Sequence, residues 1–313
     1  MEDTSVSILI PCRNAAPYLA ATLESACGQS LPAAEILVVD DGSIDDSAAI
    51  ARRFAPTVTV IDGPGRGASV ARNVATCQSR GRYLQYLDAD DLLEPHALET
   101  RVDALERTGA GLAISDWQRL VERSGDWGAE RDVSGRLADD GVPADVQVLR
   151  GFWAPPAAIL YRRSLCMQIG AWRESLPVIQ DARFLLDAAR LGGRVVHVPG
   201  IGARYRRHAS HSLSTTNRDR FWGDVLRNAE EVESLWRAAG TLDRVHRTAL
   251  VQVFADCARV GFISRSSSLF HDGLAALSRF TERPESKLVR MVQLLTRTVG
   301  YGPARLLLAP FVQ

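Results

Sequence analysis

Along the first 110 residues, short and continuous apolar runs alternate with segments whose apolar residues have helical spacing. This pattern predicts four strands and four helices, which occupy in turn residues 6–11, 16–29, 35–41, 45–55, 57–62, 67–80, 82–87 and 95–110. Strands of continuous apolar character that are separated by helices predict a parallel sheet covered on both faces. The sequence therefore favours an α/β fold.

Beyond residue 110 the pattern is less regular. A further strand is predicted at 111–117. Residues 118–150 are polar, rich in glycine and aspartate, and weakly patterned, which favours a mobile loop or lid. Structure is predicted to resume over 152–164, and a helix is expected at about 180–191.

The order of elements indicates two parts of the chain. We expect an α/β domain over residues 1–213, with one half at 1–110 and the other at 111–213. From about residue 216 the apolar positions again have helical spacing, which predicts a C-terminal helical region over 214–313, with the boundary near Leu213 to Thr216.

Polar residues follow each of the first four predicted strands. Asn14 follows the first, Asp40 and Asp41 follow the second, the Gly63–Gly67 loop follows the third, and Asp88–Asp91 follows the fourth. In an open α/β sheet, ligands bind at the carboxyl ends of the strands. We therefore expect all four turns to converge on one cleft.

Composition narrows the possible functions. The chain has 313 residues, 46% of them hydrophobic, and a formal net charge of zero, so nothing global indicates a nucleic acid partner. Its five cysteines include no C-x-x-C pair, and a reducing cytosol fits them best. The first apolar run is too short for a signal peptide, and no stretch approaches the roughly 20 apolar residues of a membrane-spanning helix.

Three carboxylates, Asp88, Asp90 and Asp91, end the fourth predicted strand. In an extended segment, side chains two residues apart point the same way, so Asp88 and Asp90 could reach one centre. Hard oxygen ligands suit Mg²⁺ or Mn²⁺. A D-x-D motif alone is more often a solvated acidic loop, but its place opposite three other polar turns favours a metal.

The stretch "GPGRGASVARN" joins the third predicted strand to a helix. It suggests a dinucleotide fingerprint, but the G-x-G-x-G spacing and its place in the third βα unit disfavour a nicotinamide cofactor. Arg72 and Asn73 could contact a nucleotide, or they could be a polar pair on a helix face.

Two further groups of residues carry candidate chemistry. Asp181 begins a predicted helix, whose dipole favours an ionised carboxylate, as a general base requires; a simple helix cap is the alternative. In "RYRRHASHS", Arg204, Arg206 and His208 would share one side of an extended segment. Arginine pairs well with phosphate, although a solvated basic strand fits equally.

Six pieces of the chain, spanning residues 5 to 213, resemble the family 2 glycosyltransferases with the GT-A fold. They are "VSILIPCRNAAPYLAATLESACGQS", "EILVVDDGSIDDS", "GASVARN", "GRYLQYLDADD", "QDARFLLDAARLGG" and "YRRHASHS". The resemblance implies a Rossmann-like, mostly parallel sheet with helices on both faces. It also implies that 1–110 binds the nucleotide and 111–213 the acceptor.

The resemblance further implies an inverting, hexosyltransferase-like reaction that depends on Mg²⁺ or Mn²⁺. A sugar would move from a nucleotide-diphosphate donor to the hydroxyl of a saccharide or lipid-linked acceptor, in bacterial polysaccharide or glycoconjugate synthesis. Asp181 would be the general base, and Asp90 and His208 would hold the metal. The donor would be bound by Pro11, Arg13, Asn14, Asp41, Arg72, Asp88 and Arg207.

Two positions depart from the family pattern. Arg13 stands where the family often has an aromatic residue, although a guanidinium can also stack on a base. Gln180 precedes Asp181, where the family often has glutamate. A nucleotidyltransferase is one alternative, but "PCRNAAPY" lacks its Gly-rich activating loop. A non-catalytic nucleotide-sugar binder is another, with Gln180 as a sign of decay.

The last 27 residues, from Lys287 to Gln313, contain basic and apolar residues but no acid. Such a tail could lie on an anionic membrane surface, where lipid-linked acceptors are found, or it could be an ordinary packed helix. We expect a cytoplasmic protein that could contact the inner face of the membrane peripherally.

Overall fold

The computed structural model describes residues 4–123, 125–192, 194–208, 218–280 and 294. The chain divides into two units, one formed by 1–148 and 152–212 and the other by 149–151 and 213–313. Three predicted features lie outside the described residues. They are the boundary near Leu213 to Thr216, the end of the "RYRRHASHS" stretch with His211, and the basic tail apart from Leu294.

A mixed sheet organises the first unit, and its described strands are numbered here in chain order. They are β1 (Val6–Cys12), β2 (Glu35–Asp40), β3 (Val58–Asp62), β4 (Tyr83–Tyr86), β5 (Leu92–Leu93), β6 (Leu112–Arg123), β7 (Asp126–Val133), β8 (Ile159–Arg162) and β9 (Val195–Arg207). The strand order is β3-β2-β1-β4-β8-β6-β9-β5, and β7 pairs with β6. The first four strands along this order are parallel, whereas β8 is antiparallel to both of its neighbours.

Helices separate most of these strands. In the first part of the chain they are α1 (Ala16–Cys27), α2 (Ser47–Arg52), α3 (Ala68–Gln78), α4 (Ala97–Thr108), α5 (Ala144–Leu149), α6 (Arg163–Ile169) and α7 (Gln180–Arg190). The described part of the second unit is helical, with α8 (Arg218–Ala238), α9 (Arg244–Ser264) and α10 (Ser267–Leu277). The predicted α/β fold with additional C-terminal helices is therefore confirmed.

The apolar runs form strands because the sheet buries them on both faces. Every residue of β1 is buried, and Ile8, Leu9 and Ile10 have no exposed surface. The register aligns the strand ends, with Cys12 opposite Asp40 and Asp40 opposite Asp62. The turns that follow β1, β2 and β3 therefore leave the sheet at one edge.

The prediction of a mobile loop or lid over residues 118–150 is wrong where β6, β7 and α5 lie. Residues 134–143 contain no helix or strand. Strand β6 continues to Arg123 and pairs with β7 in an antiparallel hairpin. Gln118 donates a hydrogen bond to Asp132 across this pair, at 2.9 Å. Because most side chains of β7 are exposed, its sequence is polar and lacks the apolar alternation of a half-buried strand.

A buried arginine lies where β4, β6 and β9 pack against α4. Arg101 donates from Nη1 to Gln85 Oε1 and from Nη2 to Ser115 Oγ, both at 2.7 Å. Burial lowers the pKa of its guanidinium. Gly202 on β9 leaves the space for this side chain, since a Cβ there would lie 2.6 Å from Arg101 Nη2.

We expect Gly202→Ala to lower the free energy of unfolding by about 1–3 kcal/mol, because overpacking forces buried groups apart. Urea unfolding followed by circular dichroism would measure the change. Gly128→Ala on β7 is the matched control, since a Cβ at Gly128 would have nothing within 4 Å. Equal stability of the two variants would contradict this account of Gly202.

Candidate active site

The turn after β1 is joined to the turn after β2 through Asn14. This residue has a positive φ of 51°, a conformation that asparagine tolerates better than most residues. Its side-chain Oδ1 accepts from the backbone N–H of Ile44 at 2.9 Å, and its own N–H donates to Ser43 Oγ at 3.0 Å. Pro11 is buried on β1, while Arg13 and Asn14 are exposed beside this junction.

Asp41 organises the loop after β3. Its carboxylate is 2% exposed and accepts the backbone N–H groups of Gly65, Arg66 and Gly67 at 2.9, 3.2 and 2.6 Å. Gly65 and Gly67 have φ values of 72° and 101°, which favour glycine. The G-x-G-x-G spacing thus lets this loop fold around a carboxylate of the protein itself.

Asp88 is paired with Arg72, which the structure places in the interior. Arg72 is 3% exposed and donates from Nη2 to Asp88 Oδ1. Burial, together with the neighbouring Asp90, raises the pKa of Asp88 despite Arg72. The buried Nε and Nη1 of Arg72 have no hydrogen-bond partner within the described residues. The buried arginine therefore retains hydrogen-bonding capacity beyond its pair with Asp88.

Trp172, which the sequence analysis missed, packs against this pair. The Arg72 guanidinium lies 4.5 Å from the Trp172 ring centroid, and Trp172 stacks on Phe184 of α7 with centroids 4.2 Å apart. Asn73 Oδ1 accepts from the backbone N–H of Trp172 at 2.8 Å, and Asn73 Nδ2 donates to the backbone carbonyl of Trp172 at 3.2 Å. Asn73 therefore anchors the segment before α7, in agreement with the structural alternative for this residue.

The segment that carries Asp88 and Asp90 is not extended, contrary to the prediction from the sequence. Residues 88–91 form a turn, in which the Asp91 N–H donates to the Asp88 carbonyl at 3.1 Å. Asp90 Oδ2 lies 2.8 Å from His208 Nε2, whereas Asp88 contacts Arg72. The two carboxylates thus have separate partners.

Asp91, the last residue of this turn, contacts Arg206. The Asp91 carboxylate is fully buried and accepts the Arg206 backbone N–H at 2.9 Å. Burial and the nearby Asp90 raise its pKa well above the usual range. Arg206 Nη1 also donates to the Asp90 carbonyl at 2.7 Å. We call residues 88–91 the acidic turn. The end of β9 therefore holds the acidic turn in place.

The basic residues of β9 separate into different environments. Arg204 pairs with Glu94, with Nε and Oε1 2.5 Å apart, so its charge is compensated. Arg206 and His208 reach the acidic turn, whereas Arg207 is exposed at the end of the strand. The sequence pattern alone did not distinguish these roles.

Asp181 lies in the first turn of α7 and accepts from the indole N–H of Trp153, with Nε1 and Oδ2 2.6 Å apart. Trp153 packs edge-to-face against Trp117 and Tyr205, with centroids 5.5 and 5.4 Å apart. Burial, followed by Asp91 and Asp181, raises the pKa of Tyr205, so its phenol shares the field of these carboxylates. The sequence analysis missed Trp153 and Tyr205, whose signal was an aromatic residue in "FWAPP" and in "RYRR".

Gln180 holds the start of α7 against α3. Its amide is buried, accepts from the Ser69 hydroxyl, and donates from Nε2 to the Pro177 carbonyl at 3.2 Å. The Ser69 hydroxyl also lies 3.1 Å from the Arg173 carbonyl. A glutamate could accept from Ser69 but, when ionised, could not donate to Pro177. The glutamine therefore satisfies two different partners.

The chemistry of Asp90 and His208 fits a divalent ion that is shared with a substrate. Within the described chain, no group of three or more His, Cys, Asp and Glu side chains is arranged to hold a metal by itself. Mg²⁺ commonly uses one or two carboxylates and completes its shell with water and substrate phosphates. An Asp90–His208 pair suits this mode of binding better than a closed protein cage.

Comparison with known proteins confirms the resemblance stated from the sequence. The family model described as glycosyl transferase family 2 matches residues 7–166. The uncharacterized glycosyltransferase RP339 of Rickettsia prowazekii (strain Madrid E) is 31% identical over 249 residues, which cover 79% of this chain and 74% of that protein. Chondroitin synthase of Escherichia coli is 34% identical over 123 residues, 38% of this chain and 18% of that protein. Several curated relatives are much longer, and the chain spans 18% to 34% of the length of three of them.

Solved structures share the fold. The crystal structure of S. aureus TarS 1-349 in complex with UDP-GlcNAc has a TM-score of 0.70 and 18% sequence identity, and the match covers 96% of this chain and 89% of that chain. At this identity the likeness supports the fold alone. Among the residues described here, no helix combines the length and the apolar character needed to cross a membrane.

We expect Gln180→Glu to lower the free energy of unfolding by about 1–3 kcal/mol, because a buried carboxylate would face the Pro177 carbonyl without a proton to donate. Gln180→Met is the comparison, since it removes both hydrogen bonds without adding charge. Urea unfolding at neutral pH would rank the two variants. A Gln180→Glu protein as stable as the unmodified chain would contradict the assigned hydrogen bonds.

Proposed function

The chain belongs to glycosyl transferase family 2, and on this basis we propose that it transfers a sugar, with inversion, from a nucleoside diphosphate to an acceptor hydroxyl. The observation that carries the proposal is the Asp90–His208 pair at the acidic turn, in the same unit as Asp181 on α7. The Asp90–His208 pair suits a diphosphate with its cation, and Asp181 suits a hydroxyl that must lose a proton.

The donor is proposed to be a uridine diphosphate sugar, since the TarS structures include complexes with UDP and UDP-GlcNAc. Arg13, exposed beside Asn14, would lie against the base. Asp41 would shape this pocket through the loop it holds, and Pro11 would form its floor. Asp88, neutralised by Arg72, would accept a ribose hydroxyl.

The diphosphate is proposed to lie at the acidic turn, where Asp90 and His208 would hold Mg²⁺ or Mn²⁺. The bound ion would supply compensation for the negative charge that develops on the leaving diphosphate. Arg206 lies in contact with this turn, and the exposed Arg207 would meet the phosphates at its edge. Cationic groups that are already in position stabilise such charge without reorganisation.

Asp181 is proposed to be the general base. The Trp153 indole donates to Oδ2 and fixes the carboxylate, so that Oδ1 would accept the proton of the acceptor hydroxyl. The deprotonated oxygen would attack the sugar from the face opposite the diphosphate, which gives inversion. Synthesis of a bacterial polysaccharide or glycoconjugate is the proposed setting, and the relation to a chondroitin synthase supports a saccharide acceptor.

The two alternatives are less well supported. Family membership favours glycosyl transfer over nucleotidyl transfer. Gln180 accepts from Ser69 and donates to the Pro177 carbonyl, and the second bond requires an amide, so Gln180 does not indicate decay to a non-catalytic binder. A lipid-linked acceptor, peripheral membrane contact and a cytoplasmic location stay predictions, because the basic tail lies outside the described residues.

A thermal-shift panel with UDP, GDP, dTDP and CDP, each with and without Mn²⁺, tests the donor site, because a ligand that binds only the folded protein raises Tm. We expect UDP to raise Tm in a Mn²⁺-dependent way and the other three nucleotides to raise it less. Asp90→Asn should remove this Mn²⁺ dependence while Tm without ligand stays unchanged. A Mn²⁺-dependent shift of normal size in Asp90→Asn would contradict its role as a metal ligand.

Asp181→Asn should bind the donor nucleotide normally and transfer sugar at least about 100-fold more slowly, since loss of general base catalysis typically costs that much or more. Product formation from a radiolabelled donor would measure the transfer rate, and calorimetry the binding. Asp187→Asn, on the same helix but in a buried pair with Arg183, controls for disturbance of α7. Full activity of Asp181→Asn would exclude it as the base.

A further inference from the structure

Aromatic rings surround the two basic side chains that reach the acidic turn. The ring of Tyr18 on α1 lies 4.9 Å from that of His208, and the ring of Trp127 on β7 lies 5.1 Å from it. Tyr18 and Trp127 also meet edge-to-face, with centroids 6.1 Å apart. The Arg206 guanidinium lies 5.7 Å from each of these two ring centroids. We call Tyr18, Trp127, Arg206 and His208 the Trp127 cradle.

Within the Trp127 cradle, the rings of Tyr18 and Trp127 contact the Arg206 guanidinium without neutralising it. An aromatic face attracts a guanidinium but does not cancel its charge as a paired carboxylate does. Arg204, two residues earlier on β9, shows the contrast, because Glu94 compensates its charge. Within the described residues, the buried Nε of Arg206 has no hydrogen-bond partner. Arg206 lies in the field of the Asp91 and Asp90 carboxylates, but its Nε keeps donor capacity for an anion.

The same rings restrict His208. This residue follows the last residue of β9, so strand pairing does not fix its side chain. Its side chain is nevertheless only 16% exposed, and its Nε2 is directed at Asp90 Oδ2. An imidazole binds a metal well when neighbouring groups fix the orientation of its ring. Tyr18 and Trp127 provide this restraint through packing.

We propose that Trp127 is a positioning residue for a subsite that takes a divalent cation and a diphosphate together. It holds His208 towards the cation and Arg206 towards the phosphate oxygens. The inference rests on the proposed function, which assigns His208 to the metal, and it adds a role for the β6–β7 hairpin. Trp127 acts through these two side chains, because both lie against its ring.

Calorimetric titration with UDP, with and without Mn²⁺, tests this role in the full chain. Trp127→Leu should weaken the Mn²⁺-supported affinity about tenfold, as loss of a group that orients a metal ligand typically does. The affinity for UDP without Mn²⁺ should fall by a clearly smaller factor, because only the contact of Arg206 with the diphosphate is then weakened and His208 acts through the ion. Trp127→Phe, which keeps an aromatic ring, should recover most of the affinity. Trp222→Phe on α8 is the matched control and should behave as the unmodified chain.

Tryptophan fluorescence gives a second readout that requires no acceptor. Paramagnetic Mn²⁺ quenches a nearby indole, so Mn²⁺ with UDP should quench part of the emission of the unmodified chain and of Trp222→Phe. This quenching should be smaller in Trp127→Phe than in Trp222→Phe, because the indole that packs against His208 is then absent. Mg²⁺ with UDP should bind without comparable quenching.

The outcomes separate the inference from the function on which it rests. If the unmodified chain binds UDP in a Mn²⁺-dependent way and Trp127→Leu does the same with equal affinity, the inference is wrong and the proposed function stands. Equal weakening with and without Mn²⁺ would indicate only a structural role for Trp127, and would also overturn the inference. If UDP binding by the unmodified chain is absent or ignores Mn²⁺, the metal-dependent function fails, and the inference fails with it.

Discussion

The structure depends on how the repulsion among three carboxylates is balanced at the end of β4. Asp88, Asp90 and Asp91 share one turn, and burial raises the pKa of the first and the last. Each carboxylate has its own partner: Arg72 for Asp88, His208 for Asp90, and the backbone N–H of Arg206 for Asp91. These partners come from α3 and from the end of β9, so the acidic turn requires both elements to be in place.

Aromatic rings hold these charged groups in position. Trp172 covers Arg72, Tyr18 and Trp127 flank Arg206, and the Trp153 indole donates to Asp181. A ring restrains a guanidinium without itself cancelling the charge, although Arg72 is also paired with Asp88. This arrangement suits a site that must meet an anionic substrate, because a carboxylate in place of each ring would compete with that substrate.

Helix α3 connects the acidic turn to the start of α7. Its Arg72 meets Asp88, its Asn73 binds the backbone of Trp172, and its Ser69 binds Gln180 next to Asp181. Phe184 of α7 stacks on Trp172. The distance between the acidic turn and Asp181 is therefore set through one helix. The "SVARN" stretch has this connecting role in addition to any contact with the nucleotide.

The sequence by itself determined the first parallel strands, their helices and the convergence of their turns, because continuous apolar runs form strands only when both faces are buried. It also singled out Asp90, His208 and Asp181 as candidates. The tertiary structure alone decided three other features: the hairpin that carries Trp127, the turn that carries Asp88 and Asp90, and the burial of Arg72 beneath Trp172. The physical reason is that each depends on partners far apart in the chain. A polar edge strand has no apolar signature, and a buried arginine resembles a surface one until its neighbours are known.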